Sequence, residues 1–320
     1  MPLAIELAAA RVRGLGLEGL GTHLDDRFRL LRDRGAVDSR HQTLLATVQW
    51  SFDLLDEWLR ELFCRAGVFA GGFALDAAEK VLAFGDLDSI DVADGLAELV
   101  DKSMLQTEET PSGRRYRMLE TMRQYSADTI DPTSLGSTRD RFIRHYADWC
   151  TAADRALSGP DAGDAIVRLR SEFDNIREAV RLASAAGKRH DAAKIIVAMH
   201  NFGLQAVNTE PFTWALEHLE QEPSDHALYG ELLMSAAWGC RSRGDRQRAH
   251  ELIAEFERLA ADGTIAPAPR SLYLLGTMYW FFRETERSTE LLHRATTDAR
   301  AAGDTWTEQR GLAVLSMAQD

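Results

Sequence analysis

Apolar residues recur at helical spacing along nearly the whole chain, and at strand spacing in one short stretch. Residues 3–12 are apolar at most positions, as in a largely buried helix, and Gly14, Gly16, Gly19 and Gly21 interrupt the pattern. Leu24, Phe28 and Leu31 line a second predicted helix that ends at Arg34-Gly35. From His41 onward, Leu44, Val48, Phe52 and Leu55 line one helix face. After a turn at Asp53–Asp56, Trp58, Leu59, Leu62, Phe63 and Ala66 line the next. Gly71-Gly72 is a break, and Asp76 with Glu79 has the spacing of a capping box opening a short helix. A helix over 90–101 is expected to bury Ile90, Ala93, Leu96, Ala97 and Val100. Strands are predicted at 103–108 and 114–118, because Thr110-Pro111-Ser112-Gly113 between them suits a turn. In the second strand Tyr116 and Met118 are expected to face inward and Arg115 and Arg117 outward. A helix over 119–130 closes the unit at Asp131-Pro132.

Helices, a hairpin and a closing helix in this order describe a winged helix-turn-helix domain. From residue 139 on, every signal is helical, with breaks at Ser158-Gly159-Pro160, Ala186-Gly187, Asn208–Pro211, Gly244-Asp245, Gly263–Pro269 and Gly303-Asp304. Two of these stretches overlay. Leu233, Ala236, Ala237, Cys240, Gly244 and Ala249 match Leu272, Leu275, Gly276, Tyr279, Arg283 and Ser288, 39 residues later. A tetratricopeptide repeat is about 34 residues long, and the loop Gly263–Pro269 absorbs the excess. The expected fold class is mainly α: a winged helix-turn-helix domain followed by an α-helical, tetratricopeptide-like repeat array. The expected domains are a helical segment at 1–38, the winged helix at 39–131 and the repeats at 139–320. The last helix, with Leu312, Val314, Leu315 and Met317, reads as the first half of a hairpin. Leu312, Leu315 and Met317 are therefore expected to lie uncovered and to drive self-association.

The net charge of −13 argues against a broad phosphate-binding surface. Three well-separated cysteines, Cys64, Cys150 and Cys240, fit buried reduced thiols and a cytoplasmic protein. No apolar run approaches the roughly 18 residues of a membrane span. The N-terminus lacks a basic segment and carries Glu6, so a signal peptide is not expected.

Candidate chemistry is sparse. The one Gly-Lys pair, Gly187-Lys188, has Leu182 where a phosphate loop needs its first glycine. Gly14, Gly16 and Gly19 have dinucleotide-loop spacing but follow a helix rather than a strand. Leu24-Asp25-Asp26 lacks the apolar run of a magnesium-binding strand and reads as helix surface. His190, His200, His218 and His226 show no metal-ligand spacing. No enzymatic activity, metal or cofactor is expected of these residues alone. Helix 90–101 carries Asp91, Asp94, Glu98 and Asp101, with Asp88 before it and only Lys102 after, which disfavours direct DNA contact. Arg114, Arg115 and Arg117 on the hairpin suit either a phosphate backbone or a solvated face. Trp214, Trp238, Tyr273, Tyr279, Trp280, Phe281 and Phe282 are expected mostly between repeats, some lining a partner surface.

Five blocks carry a resemblance in order: Arg40-His41-Gln42-Thr43-Leu44, Trp50-Ser51-Phe52-Asp53-Leu54-Leu55, Val68-Phe69-Ala70-Gly71-Gly72-Phe73, Leu99-Val100-Asp101-Lys102-Ser103, and the run from Tyr116 to Tyr125. Together they resemble the winged-helix segment of actinobacterial STAND-class regulatory ATPases, the LuxR-type and antibiotic-regulator-type transcription factors with an NB-ARC-like core. Pro2-Leu3-Ala4-Ile5-Glu6-Leu7-Ala8-Ala9 resembles the helix that ends their ATPase module, and Leu169, Glu172, Asp174-Asn175 and Ala179 continue the likeness more loosely. The resemblance implies a lid-like winged helix and signal-receiving repeats. It also implies an adenine contact for Pro2, and ATP or ADP binding only where a P-loop module is supplied, upstream or separately. Related ATPases touch the nucleotide phosphate through a His that matches Leu119 here, and leucine cannot make that contact. The implied function is the non-catalytic, signal-receiving part of a transcriptional regulator, with a protein partner on the repeats. A free-standing repeat scaffold and a winged-helix DNA-binding regulator are the alternatives. Met1 is read either as a true start or as internal to a longer frame.

Overall fold

The computed structural model describes residues 39–110, 113–157, 159–221 and 227–318. The expected helices at 3–12 and 24–34, the glycine-rich stretch and Pro2 lie outside the described residues. The described chain falls into two compact units. One runs to His145 and includes Ser171–Glu178; the other comprises Tyr146–Arg170 and the residues from Ala179 on.

The first unit begins with α1 (Ser39–Asp53), α2 (Glu57–Ala66), α3 (Leu75–Leu82) and α4 (Ser89–Asp101). Strands β1 (Gln106–Thr110) and β2 (Gly113–Arg117) follow, then α5 (Glu120–Thr129). The strands pair antiparallel, from Gln106 opposite Arg117 to Thr110 opposite Gly113. On the other edge of β2, Phe73 exchanges both backbone hydrogen bonds with Tyr116, at 2.9 and 2.8 Å, making a one-residue third strand. Val48, Leu59, Leu62, Phe63, Val81, Val92, Leu96 and Leu99 are fully buried. Phe69 stacks on Phe73 at 4.2 Å and meets the edge of Phe142 at 5.4 Å.

Three local expectations are corrected. The capping box lies at Asp88 and Asp91: Asp88 accepts from the Ile90 and Asp91 amides, and Asp91 accepts from the Asp88 amide. Helix α3 instead starts at Leu75 after an extended Ala74 with no side-chain cap, which puts Asp76 inside the first turn. The buried stripe of α4 is Val92, Gly95, Leu96 and Leu99, while Ile90 is 70% exposed. Gly95 sets this rotation, because a Cβ there would lie 2.4 Å from Leu62 Cδ2 and 2.8 Å from Trp58 Cζ3. In β2 Arg115 is buried and Tyr116 only half-buried, against expectation, while Met118 is buried and Arg117 exposed as expected.

Helices α6 (Pro132–Ala156) and α7 (Ala162–Ala185) lead into α8 (Arg189–Ala198), α9 (His200–Gln205) and α10 (Glu210–Gln221). They are followed by α11 (Tyr229–Ser242), α12 (Arg246–Ala261), α13 (Pro269–Phe281), α14 (Thr285–Ala302) and α15 (Thr305–Ala318). Within the second unit α11 packs on α12 and α13 on α14. The first helices of successive hairpins also touch, α11 with α13 and α13 with α15. The 39-residue correspondence holds to the level of the backbone. Gly244 and Arg283 both take left-handed conformations, at φ 83° and 66°. The next amide returns to the helix end in each case, Asp245 to the Cys240 carbonyl at 2.9 Å and Glu284 to that of Tyr279 at 3.0 Å. Trp214, Tyr273 and Tyr279 are buried, Trp238, Trp280 and Phe282 half-buried, and Phe281 exposed. Leu315 is also buried, against expectation, while Leu312 and Met317 are exposed.

Gly276 sits where α13 crosses α14, and an added Cβ would lie 2.8 Å from Leu292 Cγ. Gly276→Ala is expected to destabilise the second unit by about 1–3 kcal/mol, since overpacking forces side chains off their rotamers. Denaturant unfolding measures this, and an unchanged midpoint would refute the tight crossing.

Candidate functional site

The candidate site is assembled around β2. Arg115 is 8% exposed despite its charge. Its guanidinium donates to Glu172 Oε1 at 2.5 Å, to the Ser171 carbonyl at 3.2 Å and to the Gly72 carbonyl. Asn175, fully buried, donates from Nδ2 to Glu172 Oε2 at 2.9 Å and to the Gly72 carbonyl at 3.0 Å, and accepts from the Gly71 amide at 3.0 Å. Every member of this network is satisfied by another, which is what makes a buried ion pair tolerable. Gly71-Gly72 permits the close approach, because a Cβ on Gly71 would lie 3.3 Å from Asp174 Cβ. The predicted break is therefore a docking loop for residues 171–178 of α7.

Arg114 pairs with Glu109 across the hairpin at 2.7 Å, Arg115 is sequestered, and Arg117 is exposed. The carboxylates of α4 are also partly committed. Asp88 and Asp91 serve the capping box, and Glu98 pairs with Lys102 at 3.1 Å. The outward stripe of α4 is Ile90, Asp94, Ala97 and Asp101, two apolar and two acidic residues without a cation. Leu119 stands at the N-cap of α5. Cys64, Cys150 and Cys240 are buried free thiols, and burial pushes Cys64 up to about 12, which keeps it an unreactive thiol. Among the described residues no helix is long and apolar enough to cross a membrane, and no cluster of side chains is arranged to hold a metal ion.

Residues 55–131 match the model of a winged helix-turn-helix domain. The order of elements agrees: α2, the Phe73 bridge, α3, α4, then the β1–β2 wing. Residues 55–131 form a winged helix-turn-helix domain. In this winged helix α4 holds the position of the reading helix. Winged helices as a class serve for DNA contact, so the expectation against it rests on charge alone. The chain is 35% identical over 279 residues to "Putative HTH-type transcriptional regulator Rv0890c" of Mycobacterium tuberculosis (strain H37Rv), covering 85% of this chain and 30% of that protein. It is 43% identical over 132 residues to "Uncharacterized protein Rv0894" of the same organism, covering 41% of this chain and 34% of that protein. The chain thus spans about a third of the length of these relatives. A crystal structure of a STAND protein with a tetratricopeptide repeat sensor, PH0952 from Pyrococcus horikoshii, overlaps 99% of this chain and 56% of its own. Its identity is 10% and its TM-score 0.31, too slight a likeness to bear on fold or function.

The family resemblance reaches Glu172 and Asn175 only loosely and implies no role for them. A signal was present: they share a helix face with the apolar Leu169, Ile176 and Ala179. Polar side chains on a buried stripe need partners.

Proposed function

We propose that this chain is the signal-receiving and autoinhibitory part of a transcriptional regulator of the STAND, NB-ARC-like and LuxR-related type. Its repeats take a protein partner, and its winged helix passes the response to a P-loop ATPase module. The observation that carries this reading is the buried Arg115–Glu172–Asn175 network, which fastens the wing to residues 171–178 of α7. On either side of that segment, α7 continues into residues of the second unit. The cation-free stripe of α4 supports a role in protein contact rather than phosphate contact. The second reading, direct DNA binding by α4 and the wing, is favoured by the domain type itself.

Fluorescence anisotropy with a labelled duplex, titrated with salt, separates the two. The regulatory reading expects no binding at low salt; binding that falls linearly with the logarithm of salt concentration would favour the DNA reading. Co-purification with a P-loop ATPase module, weakened by Glu172→Gln, is expected of the regulator and not of a free-standing scaffold.

A further inference from the structure

Three hairpin turns of the second unit are built alike. The amides of Asn208, Asp245 and Glu284 each return to the carbonyl five residues back, of Gly203, Cys240 and Tyr279, at 3.0, 2.9 and 3.0 Å. The residue before each amide is left-handed: Val207, Gly244 and Arg283, at φ 55°, 83° and 66°. Equivalent turns of stacked hairpins line one edge of the stack. Apolar side chains are exposed along it. Val207 is 88% and Phe281 37% exposed. The half-buried Trp238 and Trp280 meet Phe281 edge-on, at 5.8 and 4.9 Å.

The same edge carries unmatched positive charge. Four arginines lie within Arg241–Arg248, in a chain of net charge −13. Arg248 pairs with Glu251 at 3.0 Å, and Arg243 donates to the neutral Thr213 Oγ1 at 3.0 Å. Arg241, Arg243 and Arg246 have no carboxylate partner among the described residues. Asp245, the one acid in the run, accepts from the Arg248 amide and caps α12. Arg241 is held in place, its guanidinium 3.4 Å from the Phe281 centroid and 5.3 Å from that of Trp238. Burial, and then the charge of Arg246, lower its pKa. A guanidinium stacked on a ring keeps its in-plane N–H donors, which suit a carboxylate. That stack also covers one face of Phe281, a platform that bases would need. The exposed Glu284 and Glu286 of the neighbouring turn would repel a continuous phosphate backbone. A short acidic segment that also carries an apolar side chain meets both halves of the patch.

We propose that the edge formed by Trp238, Arg241, Arg246 and Phe281 docks a short acidic segment of a partner protein, with a carboxylate on Arg241 and an apolar side chain against Trp238 and Phe281. Tryptophan and arginine are the residue types that carry most of the binding energy at interfaces. The proposal rests on the reading of the repeats as the partner-binding part of a regulator, and gives that partner a chemistry.

Fluorescence anisotropy of the full chain with the labelled peptide Ser-Glu-Asp-Phe-Asp-Glu-Leu-Ser tests it. One twin has Gln and Asn in place of Glu and Asp; a second has Ala in place of Phe and Leu. The acidic peptide is expected to bind at least about tenfold more tightly than either twin, the effect of one hydrogen bond to a charged group or of one buried apolar side chain. Arg241→Gln is expected to remove the preference over the amide twin. Arg258→Gln, at an arginine of α12 already paired with Asp262, is expected to leave it. Equal binding of the acidic and amide peptides, tighter binding of oligo-deoxythymidine than of the acidic peptide, or no peptide binding below about 1 mM would overturn the site. So would self-association of the chain that Arg241→Gln abolishes, since a second copy would then be the occupant. The comparison of peptides on the unaltered chain needs no variant to fold. Loss of peptide binding leaves the regulatory reading to its own test, the capture of an ATPase module. Peptide binding by a chain that captures no such module would keep the site and remove the reading.

Discussion

Arg115→Met is expected to destabilise the first unit by about 3–5 kcal/mol, the usual cost of removing one member of a buried ion pair. The loss is not the worth of the pair. Glu172, 6% exposed, would keep its charge and lose its guanidinium partner, and the Gly72 and Ser171 carbonyls would each lose one donor. Arg115→Met/Glu172→Met is expected to recover much of the loss, because the double replacement removes both buried charges. Hydrogen exchange at 71–73 and 113–117 should report the change locally, since the wing and the docking loop share the network. Two units make a single global melting point a poor measure. Single variants that exchange like the wild type would show that the pair does not hold the wing to α7.

Lowering the pH from 7 to 5 is expected to weaken the second unit by about 2 kcal/mol through His200 alone. His200 is 2% exposed, stands edge-on to Phe212 at 5.1 Å, and shares a hydrogen bond with Ser235 Oγ at 2.9 Å through Nδ1. Burial, and then the Arg270 charge, push it down to about 3 from an ordinary 6.5. The folded state therefore refuses a proton that the unfolded state takes. Stability is fully present above 6.5, and is lost progressively as pH falls from there toward 3. Asp154 and Glu231, raised chiefly by burial, work in the opposite direction as the pH drops. The His200 contribution is isolated by comparing the wild type with His200→Gln, whose stability should lack this slope. Parallel pH profiles for the two proteins would refute the assignment.

The sequence announced most of the helices because their stripes are local: Leu59, Leu62, Phe63 and Ala66 on α2 need only a 3.6-residue period to be seen. The repeat was legible for the same reason, since Gly244 and Arg283 end equivalent helices through equivalent hydrogen bonds. The buried face of α4 is not legible in the sequence, because a glycine carries no hydropathy signal. Gly95 turns the helix by admitting Leu62 and Trp58, and so Ile90 faces out. The inward turn of Arg115 was hidden because its partner lies 57 residues away.

The sequence by itself determined most of the helices, the winged-helix order and the repeat, since each follows from spacing between near neighbours along the chain. Only the tertiary structure decided which polar residues matter. Glu172 and Asn175 became the anchor of the wing, because burial turns an unmatched charge or hydrogen-bond donor into a strong constraint. Burial is a property of packing between distant segments, which local spacing does not encode.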